Sequence, residues 1–106
     1  MSAVTILATV RPKPGMEAEV EKNFHALLAP THAEPGCELY ALHRAVERPG
    51  ELIFVERWSS ADDLAVHAAS AHIAACTEAC QGMLAEPVEI THLEALPGGD
   101  PGKAAL

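Results

Sequence analysis

Among the residues able to do chemistry, Glu56 is the most informative. In the segment Leu52-Ile53-Phe54-Val55-Glu56-Arg57-Trp58, the alternate residues Leu52, Phe54, Glu56 and Trp58 share one strand face. An ionised carboxylate among such neighbours is costly unless paired. Desolvation therefore raises its pKa and lets it act as general base or acid near neutrality. A wet strand edge with an arginine partner is the structural alternative. Trp58 is the single tryptophan in a chain with only 4% aromatic residues. Beside Glu56 it suits a flat ligand that needs a stacking wall, with ordinary core packing as the competing explanation. Tyr40, Phe24 and Phe54 extend that wall on the same terms. His67 and His72 bound the string His67-Ala68-Ala69-Ser70-Ala71-His72. An imidazole between alanines can reach into a cleft as hydrogen-bond donor or base, and a capping or surface histidine is the plainer alternative. His43 shares a strand face with Leu39 and Ala41 and is a further pocket candidate. The expected set is Glu56 and His67 as catalytic groups, with Trp58, Tyr40, Phe24, His43, Phe54 and His72 contacting the substrate.

Metal and cofactor chemistry find little support in the spacing. His72, Cys76 and Cys80 recur every fourth residue along one helical face, but the outer two lie about 12 Å apart along the axis, too far for one ion. Cys76 and Cys80 are equally ill placed for a disulfide, because Cβ atoms about 5–6 Å apart exceed bridging distance. The chain has no CxxC, HExxH, GxSxG or glycine-rich nucleotide fingerprint. No metal and no cofactor are expected.

The elements that must position these groups can be read from the periodicity. Val4, Ile6, Ala8 and Val10 line one face of an opening strand, with Thr5, Leu7 and Thr9 on the other. Two prolines and Gly15 end it. Met16, Val20, Phe24, Leu27 and Leu28 then form a helical stripe, predicted to stop near Ala29 because Pro30 has no amide hydrogen. A second strand runs from about Cys37 to Ala45, a turn at Arg48-Pro49-Gly50 follows, and a third strand covers Glu51 to Trp58. Ser60 can cap a second helical region, which should break around Ala69-Ser70 and resume to about Leu84. A last strand is predicted from Val88 to about Leu96. The βαββαβ order is that of a ferredoxin-like α+β fold, with residues 1–96 as the domain and 97–106 as a flexible tail. Right-handed crossovers put both helical regions on one side of the sheet. The strands are nevertheless apolar on both sides, so a second copy of the chain is expected to cover the other face, giving a homodimer.

Bulk properties narrow the partners. The chain has 106 residues, 49% of them apolar, enough for one globular domain. Its formal charge of −8 repels phosphate backbones and argues against nucleic acid. No apolar run approaches the roughly 20 residues that span a bilayer, and no basic lead-in marks a signal peptide. Three cysteines do not make a disulfide framework, so a reducing, cytoplasmic setting is expected.

Several segments together carry a family resemblance. The opening strand with its Lys-Pro-Gly, the stretch EPGCELYALHRA, the strand PGELIFVERW and the string HAASAH resemble the antibiotic biosynthesis monooxygenases, from about Ala3 to Leu96. The small quinol-monooxygenase-like members are the most similar group. The resemblance implies a ferredoxin-like fold that dimerises through its sheets into an α+β barrel. It also implies oxygenation of a hydroquinone or anthrone by O2 without flavin or metal. Carried onto this chain, it makes Glu56 and His67 the proton-handling pair and Trp58 the wall. Three other functions compete. An isomerase of a small phosphorylated diketone would need a basic clamp, for which Arg44, Arg48 and Arg57 are the available groups. A haem-degrading relative would carry an asparagine where the first strand reads TILATV. A non-catalytic dimer that only binds a small ligand would use the same pocket. Fold alone does not choose among them.

Overall fold

The computed structural model describes residues 2–106. Strand β1 (Val4–Val10) leads through helices α1 (Glu17–His25) and α2 (Leu28–His32) to β2 (Cys37–Arg44) and β3 (Leu52–Trp58). Helices α3 (Ala61–Ala68) and α4 (Ala71–Ala79) then lead to β4 (Glu89–Leu93). The strands form one sheet in the order β2-β3-β1-β4, with every neighbouring pair antiparallel. This is the ferredoxin-like α+β arrangement expected from the alternation of elements. Among the described residues, no helix is long and apolar enough to cross a membrane.

Pairing register decides which side chains meet. Glu56 lies between Ile6 of β1 and Tyr40 of β2, and Phe54 lies between Ala8 and Leu42. The face that carries them is closed: Ile6, Val10, Leu52, Phe54 and Trp58 are each at most 1% exposed. Val20, Phe24 and Leu27 from the first helical region, Cys76 from α4 and Cys80 just beyond its end pack against that face. The opposite face carries Leu7, Leu39, Ala41, Ile53 and Val55, all only partly buried.

Three boundaries differ from the sequence expectation, the simplest being α4, which ends at Ala79 rather than near Leu84. The first helix does not continue to Ala29. It ends at His25, and a second short helix starts at Leu28. A continuous helix would need a Pro30 amide for the Ala26 carbonyl and would drive the proline ring into it. Restarting at Leu28 puts Pro30 in a first turn, where the missing amide costs nothing. The last strand ends at Leu93 rather than Leu96, because its partner β1 begins pairing only at Thr5, opposite Leu93. The break in the second helical region falls where expected. Ser60 accepts a hydrogen bond from the Asp63 amide at 3.1 Å and Ser70 one from the Ile73 amide at 3.3 Å, so each hydroxyl caps a separate helix.

Candidate active site

The helices and the closed sheet face enclose a cavity of about 350 Å³. Its interior is apolar, walled by Ile6, Ala8, Val10, Phe24, Leu27 and Phe54. Ala68, Thr77 and Ile90 are exposed and mark the mouth, between α3, α4 and β4. Glu56 is the one carboxylate among the lining residues, and no lysine or arginine lines the cavity.

Glu56 occupies the middle of β3 and is 3% exposed. Its Oε1 accepts a hydrogen bond from Trp58 Nε1 at 2.9 Å. Burial pushes its pKa up to about 7. The Trp58 bond pulls it down, and the Glu34 charge raises it further. The carboxyl is thus poised to exchange a proton at neutral pH. No arginine pairs with it: Arg44, Arg48 and Arg57 bond to Glu21, Glu51 and Glu38 respectively.

His67 is held from several sides. Its Nδ1 lies 2.7 Å from Glu34 Oε2. The Trp58 ring packs on it with centroids 4.5 Å apart, and the Tyr40 ring stands edge-on at 5.3 Å. A carboxylate oxygen only accepts, so the histidine carries its proton on Nδ1. Its Nε2 makes no hydrogen bond with a described residue, on a ring that lines the cavity. Tyr40 packs against Phe54 with centroids 4.7 Å apart, and burial raises the pKa of its phenol, keeping it protonated. Cys76 also lines the cavity. Burial pushes its thiol up to about 12, so it is an uncharged wall and no nucleophile.

Glu56, His67, Tyr40, Phe24 and Phe54 therefore meet in one cavity. The other three expected contacts do not join them. Trp58 is fully buried and lies behind the wall, bonded to Glu56 and stacked under His67, so it orients those groups instead of facing a ligand. His72 points its Nε2 at the same Glu34 oxygen, at 2.8 Å, and does not line the cavity. His43 is exposed and pairs in register with Ile53, on the opposite face of the sheet.

Glu34 is the residue that sequence reasoning missed. It stands in the turn between α2 and β2, at the start of the EPGCELYALHRA stretch, where nothing in the sequence alone marks a role for it. That turn is clamped onto the start of α3: the Ser59 amide donates to the Gly36 carbonyl at 2.9 Å. Any Cβ at position 36 would run into the Asp63 side chain, so the approach needs glycine. The ligand-capable atoms of Glu34, His67 and His72 all lie within 4.8 Å of one another.

Comparison with known proteins agrees with this architecture. The sequence profile of the antibiotic biosynthesis monooxygenases matches residues 3–79. Rv0793 of Mycobacterium tuberculosis, named provisionally as a monooxygenase, is 32% identical over 95 residues, covering 90% of this chain and 93% of that protein. Its solved structure superposes with a TM-score of 0.83 over 93% of this chain and all of that one. PA3566 from Pseudomonas aeruginosa gives 0.85 at 28% identity, over 92% of this chain and 97% of the other. A Caulobacter crescentus protein, provisionally assigned to the same family, gives 0.81 at 30% identity, over 91% and 92%. With the profile spanning most of the folded domain, this chain belongs to the antibiotic biosynthesis monooxygenase family.

Proposed function

We propose that the protein oxygenates a neutral, electron-rich aromatic of the hydroquinone or anthrone type with O2, drawing the electrons from the substrate itself and using no redox cofactor. The observation that carries this reading is the solitary Glu56 carboxyl, its pKa raised to about 7, in an otherwise apolar cavity. A cavity near 150 Å³ holds one benzene, so about 350 Å³ accepts two or three fused rings. Membership of a monooxygenase family supports the reaction class. For an anthrone-type substrate, Glu56 takes a proton from the acidic ring CH2, and the carbanion passes one electron to O2. Superoxide and the carbon radical then combine. Glu56 returns the proton to the resulting peroxide, which loses water to leave a carbonyl: one oxygen atom enters the product and the other leaves as water. The His67 Nε2 accepts a hydrogen bond from a substrate hydroxyl and fixes the ring against Tyr40 and Phe54. The apolar cavity wall shields the substrate anion from solvent.

A phosphorylated diketone fits this cavity poorly. A phosphate needs cationic or amide donors, and the three candidate arginines are each bonded to a glutamate elsewhere. In our reading the active form is a homodimer joined through the apolar outer face around Leu7, Ile53 and Val55, which buries what one chain leaves half exposed. Three free thiols fit a reducing, cytoplasmic setting. The test is turnover of quinols and an anthrone by wild type and Glu56→Gln. Loss of roughly 10²-fold or more in the variant supports Glu56 as the base, and equal turnover in a folded Glu56→Gln protein overturns that assignment.

A further inference from the structure

We propose that Glu34, His67 and His72 form a binding site for one divalent first-row transition ion of the zinc class, directly behind the cavity wall at His67. The three donors come from three separate elements: the turn before β2, the end of α3 and the start of α4. Both imidazole nitrogens aim at a single carboxylate oxygen, at 2.7 and 2.8 Å. Neighbouring ligands of an ion with bonds of about 2.0–2.2 Å stand roughly 3 Å apart. The two nitrogen–oxygen distances thus lie close to what coordination requires, and all three donor atoms fall within 4.8 Å of one another.

Charge points the same way. The Glu34 side chain is only 13% exposed, and among the described residues no lysine or arginine pairs with it. Its two partners are histidines, which are uncharged when they serve as metal ligands. A cation between the three groups would give the Glu34 carboxylate a positive partner that no lysine or arginine supplies. Two imidazoles with one carboxylate suit zinc, cobalt, nickel or ferrous iron, whereas calcium and magnesium prefer all-oxygen sites.

The supporting structure is built for constancy of position. The helix break at Ser70 puts the two histidines on separate capped helices, and the Gly36 approach fixes the turn that carries Glu34. Binding has a consequence for the cavity. In the metal-free geometry the His67 Nδ1–H faces Glu34, and in the neutral ring that leaves Nε2 as an acceptor. With the ion on Nδ1, the proton belongs on Nε2, which becomes a donor toward the ligand. The ion thus decides whether His67 accepts from a substrate hydroxyl or stabilises its anion. That consequence rests on the proposed oxygenase reading, whereas the binding site itself does not.

The only tryptophan is a built-in reporter, since its ring lies 4.5 Å from that of His67. Full-length protein, stripped with chelator and desalted, would be titrated with Co2+ while Trp58 fluorescence and cobalt d–d absorption are followed, and with Zn2+ by competition. The expected result is saturable binding of one ion per chain with fluorescence quenching by Co2+. Binding should weaken by roughly tenfold or more in both Glu34→Gln and His72→Ala and stay unchanged in His43→Ala, on the opposite face. Absence of stoichiometric binding to the wild type at micromolar protein would overturn the proposal and leave the triad a hydrogen-bonded clamp. Binding that persists unaltered in both ligand variants would do the same. Neither outcome bears on oxygen uptake, so failure of the site and failure of the proposed reaction are separately visible.

Discussion

Replacing Glu56 by glutamine should stabilise the protein, and the gain should depend on pH in a defined way. The wild-type carboxyl has a pKa of about 7 in the folded chain against 4.5 when unperturbed, because burial disfavours its charge. Below the unfolded value it is protonated in both states and contributes no pH dependence. Between 4.5 and 7 the unfolded chain releases the proton while the folded chain keeps it, so stability falls as pH rises. Above 7 the loss is complete, on the order of 3 kcal/mol. Against a total of about 5–15 kcal/mol for a domain, that is a large effect. Glutamine preserves the shape, and its Oε1 still accepts from Trp58 Nε1, so the variant lacks this titration without losing the bond. Urea unfolding of the metal-stripped proteins at pH 4, 6 and 8 gives the difference directly. It should start near zero, grow through pH 6, and reach about 3 kcal/mol in favour of the variant at pH 8. Parallel stability curves would mean that Glu56 is not desolvated, and the argument for its proton chemistry would fail with them.

Two further outcomes follow from the same geometry. Trp58→Phe removes the hydrogen bond that holds the Glu56 pKa down, so the acid limb of the kcat/KM profile should move to higher pH; an unmoved limb would assign it to another group. Val55→Asp places a charge in the outer sheet face, so sedimentation should show wild type at twice the 11.2 kDa chain mass and the variant at the monomer mass. A wild type already monomeric at micromolar concentration would refute that interface.

Strand periodicity was the most legible signal. The alternation in β3 put Leu52, Phe54, Glu56 and Trp58 on one face, and all four are buried there. Alternation tells which face a residue joins but not what covers it. Trp58 shares the Glu56 face yet lies beneath His67, whereas Phe54 fronts the cavity. His43 was readable and misread. Tyr40 and His43 are an odd number of residues apart on one strand, so they cannot both face the same cavity. The helix break at Ser70 was visible because a serine follows an alanine pair, and the earlier break at Ala26 was displaced by assuming that a proline must end a helix. Glu34 carried no periodic signal. Its role comes from a long-range approach of the turn to α3, which Gly36 permits, and a lone glutamate before Pro-Gly does not announce such a contact.

The most direct test of the central claim is oxygen consumption by purified, chelator-treated protein supplied with two- and three-ring quinols and an anthrone, against a heat-denatured control that corrects for autoxidation. Cofactor-free oxygenation through Glu56 predicts saturable uptake that requires folded protein, persists with metal removed, and falls by roughly 10²-fold in Glu56→Gln. Uptake no faster than the denatured control for every substrate would contradict it.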